Sequence, residues 1–173
     1  FVSPTELRVG DVNLTTSQTI IATGSSIRSV NLPGLETAGY ITSDDALQLR
    51  TPPKSMLVLG GGPTATELAQ FYCRIGTKVT IIQRSDHILS SGDKDLALPL
   101  EKQLRSEGME IFTGCQIQKI EIESKMRVAH FTQSGISKKT SAEVILLALG
   151  RRPNIDDLGL ENAGIKINNG KII

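Results

Sequence analysis

The stretch Met56-Leu57-Val58-Leu59-Gly60-Gly61-Gly62-Pro63-Thr64-Ala65-Thr66-Glu67-Leu68-Ala69 decides how the chain reads. An apolar run, three glycines and then apolar residues at helical spacing predict a strand, a tight loop and a helix. Gly60 permits a sharp exit from the strand, Gly62 lets backbone approach an anion with no Cβ in the way, and Ala65 is small enough for close packing of helix on sheet. Pro63 suits the first helical position, where its missing N–H costs nothing. The remaining free N–H groups of that turn, Thr64 and Ala65 among them, and the positive end of the helix dipole are aimed at the anion. The pattern is GxGxxA, a weak signal alone that gains weight from its setting.

Downstream, Ala65, Leu68, Ala69, Tyr72 and Gly76 fall on one helical stripe, and Gly76 closes the helix. Lys78-Val79-Thr80-Ile81-Ile82-Gln83 is a β-branched run and reads as a second parallel strand. Strand, helix and strand make one βαβ unit of about thirty residues. Residues 93–107 read as a helix with Leu96, Leu100 and Leu104 four apart, kinked or begun at Pro99 and capped by Gly108; residues 109–113 return to the sheet.

The period then changes. Alternation over 117–123, a second run holding Val128 and Phe131, and a third over 144–149 predict an antiparallel three-stranded meander, with a turn at Gly135-Ile136-Ser137-Lys138-Lys139. Its last strand is a candidate to join the main sheet. Upstream, 12–14 and 18–22 read as short strands, Pro33-Gly34 as loop, and Ser43 as the N-cap of a short helix over 44–49 with the Asp44-Asp45 pair in its first turn.

Two apolar strand exits, Ile21-Ala22-Thr23-Gly24-Ser25 and Leu147-Ala148-Leu149-Gly150-Arg151, bracket the βαβ unit. They suit a chain that leaves one domain and later returns to it. The organisation expected is residues 1–25 as connecting strands, 26–150 as the nucleotide domain and 151–173 as the return segment. The Phe1-Val2-Ser3-Pro4 start and the Lys171-Ile172-Ile173 end look like cuts in a longer polypeptide.

Composition narrows the function. The 173 residues are enough for one domain with a core, 19 basic against 18 acidic side chains leave a net charge of +1, and aromatics are 3%. Neither a nucleic-acid footprint nor stacking platforms for bases are present. The longest apolar run is too short for a membrane span. Cys73 and Cys115 lack metal or vicinal redox spacing, so they read as core or idle thiols in a reducing, cytoplasmic setting, with no metal site.

An Asp or Glu about twenty residues beyond the glycines would accept the ribose hydroxyls of an adenosine. Gln83-Arg84 stands there instead. Arg84 could hold a 2′-phosphate, which favours NADP(H) over NAD(H), with Asp86 as the rescue for NAD(H). Ser85 and His87 are candidate neighbours of the phosphate, and Gly150 and Arg151 line the second strand exit; solvated loop residues are the plainer reading of Arg84 and His87. His130 is expected to be structural or superficial, and Arg151-Arg152 either solvated or at a domain joint. Glu67 is either an exposed helix acid or a group near the reactive ring.

Taken together, these motifs with Pro33-Gly34-Leu35, Ser43-Asp44-Asp45-Ala46-Leu47, Gly76-Thr77-Lys78-Val79-Thr80 and Gly150-Arg151-Arg152-Pro153-Asn154 resemble the pyridine nucleotide-binding domain of the FAD-dependent disulfide oxidoreductases, the family of dihydrolipoamide dehydrogenase, glutathione reductase and mercuric reductase. The resemblance implies an α/β fold, a Rossmann-like parallel sheet with an antiparallel three-stranded meander, inserted in a mostly absent FAD domain. It implies that nicotinamide dinucleotide lies across Gly60, Gly61, Gly62, Pro63, Thr64 and Ala65 and passes hydride to FAD, with Glu67 near the nicotinamide. Arg84 matches the NADPH-using branch. The family's own FAD-binding GxGxxG, its CxxxxC disulfide, its GD motif and its dimerisation-domain HxxxxE are not in these residues, so the fragment is expected to bind cofactor without catalysis and its parent to be a homodimer. A Tyr that commonly follows the third glycine as a lid is replaced by Pro63. Rival readings are a flavoprotein NADH dehydrogenase or ferredoxin reductase without a redox disulfide, a non-catalytic nucleotide module, and an adenosyl-dependent methyltransferase, the last disfavoured because its ribose also calls for an acid after the second strand.

Overall fold

The computed structural model describes residues 1–173, which divide into two units: Phe1–Arg28 with Arg151–Ile173, and Ser29–Gly150. The smaller unit opens with the hairpin β1 (Glu6–Val9) and β2 (Val12–Thr15), followed by β3 (Ser25–Ile27). The strand expected over 18–22 does not form. Ile20 is 90% exposed there, so the apolar run has no partner layer to bury it.

The larger unit carries α1 (Leu35–Ala38), α2 (Ser43–Ala46), β4 (Ser55–Leu59), α3 (Pro63–Arg74), β5 (Lys78–Ile82), α4 (Lys94–Ser106) and β6 (Glu110–Phe112). Next come β7 (Cys115–Glu123), β8 (Met126–Gln133), β9 (Ile136–Ala142) and β10 (Val144–Leu147). The chain then re-enters the smaller unit with β11 (Arg151–Pro153), antiparallel to β3, a 3-10 turn over Leu160–Ala163, and the pair β12 (Ile167–Asn168) and β13 (Lys171–Ile172).

The core of the larger unit is a four-stranded parallel sheet in the order β10-β4-β5-β6. Met56, Leu57, Val58 and Leu59 are fully buried, as are Ile81 and Ile145, which accounts for continuous apolar strands with no polar face. The predicted stripe of α3 packs on this sheet through Ala65, Leu68, Ala69 and Tyr72. The Tyr72 hydroxyl donates to the Ala46 carbonyl at 2.5 Å, so α2 is tied to α3 by a buried hydrogen bond.

Three expectations are corrected. The helix expected over 44–49 is α2, capped by Thr42, not Ser43: Thr42 and Asp45 form a reciprocal capping box, and the helix ends at Ala46. α4 begins at Lys94 on an Asp93 cap and runs through Pro99; its buried side is Ala97 and Leu104, while Leu96 is 75% exposed. The third meander strand is β9, over the residues read as a turn, so the meander is β7-β8-β9. The Val144 strand joins the parallel sheet, as its candidate reading had it. Each hairpin of the meander turns on two residues of positive φ, Ser124-Lys125 and Ser134-Gly135, the geometry that matches strand twist.

Candidate functional site

The glycine loop sits at the carboxyl end of β4, and each of its glycines meets a different neighbour. Gly60 adopts φ +112°, and a Cβ there would lie 2.5 Å from the Ala148 carbonyl oxygen, just after β10. Its own N–H donates to the Ile82 carbonyl at 2.9 Å. Gly61 is buried; a Cβ would press on Ile88 at 3.1 Å and on Gln83 at 3.3 Å. Gly62 has ordinary φ and nothing within 4 Å of where a Cβ would stand. Gly60 is therefore required by the protein's own packing, Gly61 stands where a Cβ would crowd its neighbours, and the third leaves open space in front of the loop.

Gly62 is also the N-cap of α3, and no side chain caps that helix; Pro63 occupies its first turn. Thr66 turns its hydroxyl inward, donating to the Gly62 and Pro63 carbonyls at 3.1 and 2.9 Å, so it does not compete for the amides. Thr64 is exposed beside them, and Ala65 is buried against the sheet. The N–H groups of Thr64 and Ala65, in the first turn, lack carbonyl partners in their own helix. Backbone donors and helix dipole converge on the open space beside Gly62.

A second loop follows β5 and is stapled to the first. The Leu89 N–H donates to the Gly61 carbonyl at 2.7 Å, the Gln83 amide donates to the Ser90 hydroxyl at 3.3 Å, and Ile88 is fully buried. Leu89 adopts φ +50° to make this turn. Ile88, Leu89, Ser90 and Ala148 are the residues that sequence reasoning missed. An apolar pair, Ile88-Leu89, within a polar run was the signal for Ile88.

Among the sequence-derived candidates, Gln83 is buried, Arg84 is exposed, and Ser85 is half-buried with its carbonyl accepting from Gly114 N–H at 2.7 Å. Arg84 borders an open depression of about 500 Å³ together with Gly114, Cys115, Gln116, Thr132 and Ser134. His87 is buried and its Nδ1 lies 2.7 Å from the Ile88 carbonyl, so it shapes the loop from inside. Asp86 is held by Lys94 at 2.7 Å, and that hydrogen bond keeps its carboxyl below the usual range. Glu67 is exposed on α3. Gly150 is exposed, with φ +107°, at the end of the larger unit. Arg151 falls in the other unit, where its guanidinium donates to the Ser25 hydroxyl and carbonyl at 2.8 and 2.7 Å. The two cysteines are unpaired, and burial raises the Cys115 thiol's pKa.

The family model of pyridine nucleotide-disulphide oxidoreductases matches residues 2–173. The chain belongs to this family. Within the family, it is 38% identical over its whole length to a dihydrolipoyl dehydrogenase of Geobacillus stearothermophilus, covering 37% of that protein. It is 33% identical to a mercuric reductase of Staphylococcus aureus, over 96% of this chain and 30% of the relative. A solved Cu(II) complex of a mutant of RclA, the HOCl-induced flavoprotein disulfide reductase from Escherichia coli, superposes with a TM-score of 0.82 at 27% identity, covering all of this chain and 40% of the other. The chain thus spans about a third of the length of these family members. Its mixed α/β fold, with one parallel sheet and antiparallel strands, is theirs.

Proposed function

We propose that the larger unit binds a nicotinamide dinucleotide and presents it to a flavin in a flavin-dependent disulfide oxidoreductase. One observation carries the reading: Gly60 and Gly61 are packed against the protein, whereas Gly62 opens onto free space at the uncapped start of α3. That is a cradle for a diphosphate, since backbone donors and dipole meet there with no side chain between. The residues present fit the group. Gly60, Gly61, Gly62, Thr64 and Ala65 would hold the diphosphate, with Pro63 fixing the first turn. Arg84, exposed at the end of β5, would take a 2′-phosphate, and the buried neutral Gln83 offers it no repulsion. NADP(H) is therefore preferred to NAD(H).

When bound, the dinucleotide supplies a hydride to FAD. The chain's part is to orient it. Ser85 and the buried His87 hold the loop carrying Arg84, and Gly150 lets the chain turn away after β10. Glu67, on the exposed side of α3 one turn beyond the cradle, is the group placed toward the nicotinamide end. Arg151 belongs to the flanking segment that leads back toward the FAD domain. The parent is a cytoplasmic homodimer in this reading, and no helix of the chain is long and apolar enough to cross a membrane.

Calorimetric titration with NADPH and NADH in parallel tests the proposal. Saturable binding of both, tighter for NADPH, is the expected result. The absence of heat from either coenzyme at millimolar concentration would overturn it.

A further inference from the structure

Away from the glycine loop, the meander brings together three groups that nothing above uses. Glu121 and Glu123 alternate along β7 and so project from the same side of the sheet. Strand pairing sets His130 of β8 opposite Lys119, one position along that side from Glu121, while Glu121 itself faces the buried Val128. One ligand atom from each of Glu121, Glu123 and His130 lies within 4.8 Å of the others.

The imidazole is the telling member. Its Nε2 is shielded from solvent and lies 2.8 Å from Glu121 Oε2, an imidazole–carboxylate contact, while the ring as a whole stays 24% exposed. An imidazole nitrogen and a carboxylate oxygen held this close can share either a proton or a metal ion. The carboxylates have atoms to spare. Lys119 takes only Oε1 of Glu121, at 2.6 Å, and Lys139 stands 3.5 Å from Glu123 Oε2. Both lysines are about half exposed or more and can swing into water.

We propose that Glu121, Glu123 and His130 form a binding site for a divalent transition cation of the zinc class on the β7–β8 face. Imidazole with carboxylate is the donor set such ions accept, whereas magnesium prefers oxygen alone. Metal–ligand bonds of about 2.0–2.2 Å place neighbouring donor atoms roughly 3–4 Å apart, so a small rotation of the Glu123 side chain closes the set. Such an ion would clamp two strands of the meander and is independent of nucleotide binding.

The test is calorimetric titration of the whole chain with zinc chloride in a non-chelating buffer, with magnesium chloride as the control. One-to-one saturable zinc binding is expected, weakened at least about tenfold by His130→Gln or by Glu123→Gln and unchanged by Cys73→Ser with Cys115→Ser. In the unsubstituted protein, substoichiometric cobalt(II) should broaden the His130 ring resonances before those of His87, a readout that needs no variant to fold. No saturable zinc binding at millimolar concentration, binding that persists unchanged in both ligand variants, or equal broadening of the two histidines would each overturn the proposal.

Discussion

A methyl group on Gly60 would lie 2.5 Å from the Ala148 carbonyl, at a φ of +112° that side chains rarely adopt. Gly60→Ala is therefore expected to destabilise the fold by at least about 1–3 kcal/mol, read as a lowered urea midpoint. Gly62→Ala should behave in the opposite way. Its φ of −76° suits any residue and its surroundings are open, so stability should stay within roughly 0.5 kcal/mol. Binding of either coenzyme should nonetheless fall roughly tenfold or more, because a Cβ then stands between backbone and diphosphate. If Gly62→Ala leaves binding intact, the cradle is misplaced. Arg84→Glu separates the two coenzymes. A charge-assisted hydrogen bond is worth about 1.5–3 kcal/mol, so NADPH should weaken some ten- to hundredfold while NADH changes little. An equal effect on both in parallel titrations would remove Arg84 from the 2′-phosphate. The glycines and Gln83-Arg84 were legible in the sequence because motif spacing fixes them. The staple from Leu89 to Gly61 was not, since a leucine at positive φ carries no mark in the sequence.

Between elements, an ionic link joins α3 to α4. Glu107, just past α4, receives Arg74 through two hydrogen bonds of 2.9 Å and is also met by Gln70 and Gln103. Those bonds, that from Arg74 foremost, lower its pKa from 4.5 to about 2. A carboxylate depressed in the fold adds stability above its unfolded pKa and loses it on acidification, here between pH 4.5 and about 2. Glu107→Gln is expected to lower the melting temperature at neutral pH and to flatten the fall across that acid window. Parallel slopes for the two proteins, measured by thermal melts from pH 6 to pH 2, would show that Glu107 contributes nothing. Periodicity made α3, β4 and β5 readable because burial on one stripe or on both faces leaves a regular pattern. β9 lacked that pattern. It is an edge strand bearing Ser137, Lys138, Lys139 and Ser141, whose polar side chains guard its open backbone and so resemble a turn in sequence. The 18–22 run failed in the reverse sense, having strand composition without a neighbouring strand.

At the scale of the whole chain, the proposed reading separates binding from turnover. The cradle, the Arg84 loop and the sheet that carries them all lie in Ser29–Gly150, so coenzyme binding in this reading calls on no group outside these residues. Electron transfer does. Cys73 and Cys115 are unpaired, each engaged with a backbone carbonyl, of Glu107 at 3.3 Å and Thr113 at 3.4 Å respectively. Burial raises the pKa of Cys115, so it stays a thiol rather than a reactive thiolate. The structure holds no disulfide that could accept two electrons. NADPH supplied at 100 times its dissociation constant should therefore stabilise the protein by about 2.7 kcal/mol, seen as a rise in melting temperature. In the same samples, nicotinamide absorbance should stay constant when a small disulfide is added. Loss of that absorbance at a rate proportional to protein would mean that this chain carries its own acceptor, and the division of labour proposed here would fail. A constant absorbance with no thermal shift would instead condemn the cradle, so the two measurements together locate any error.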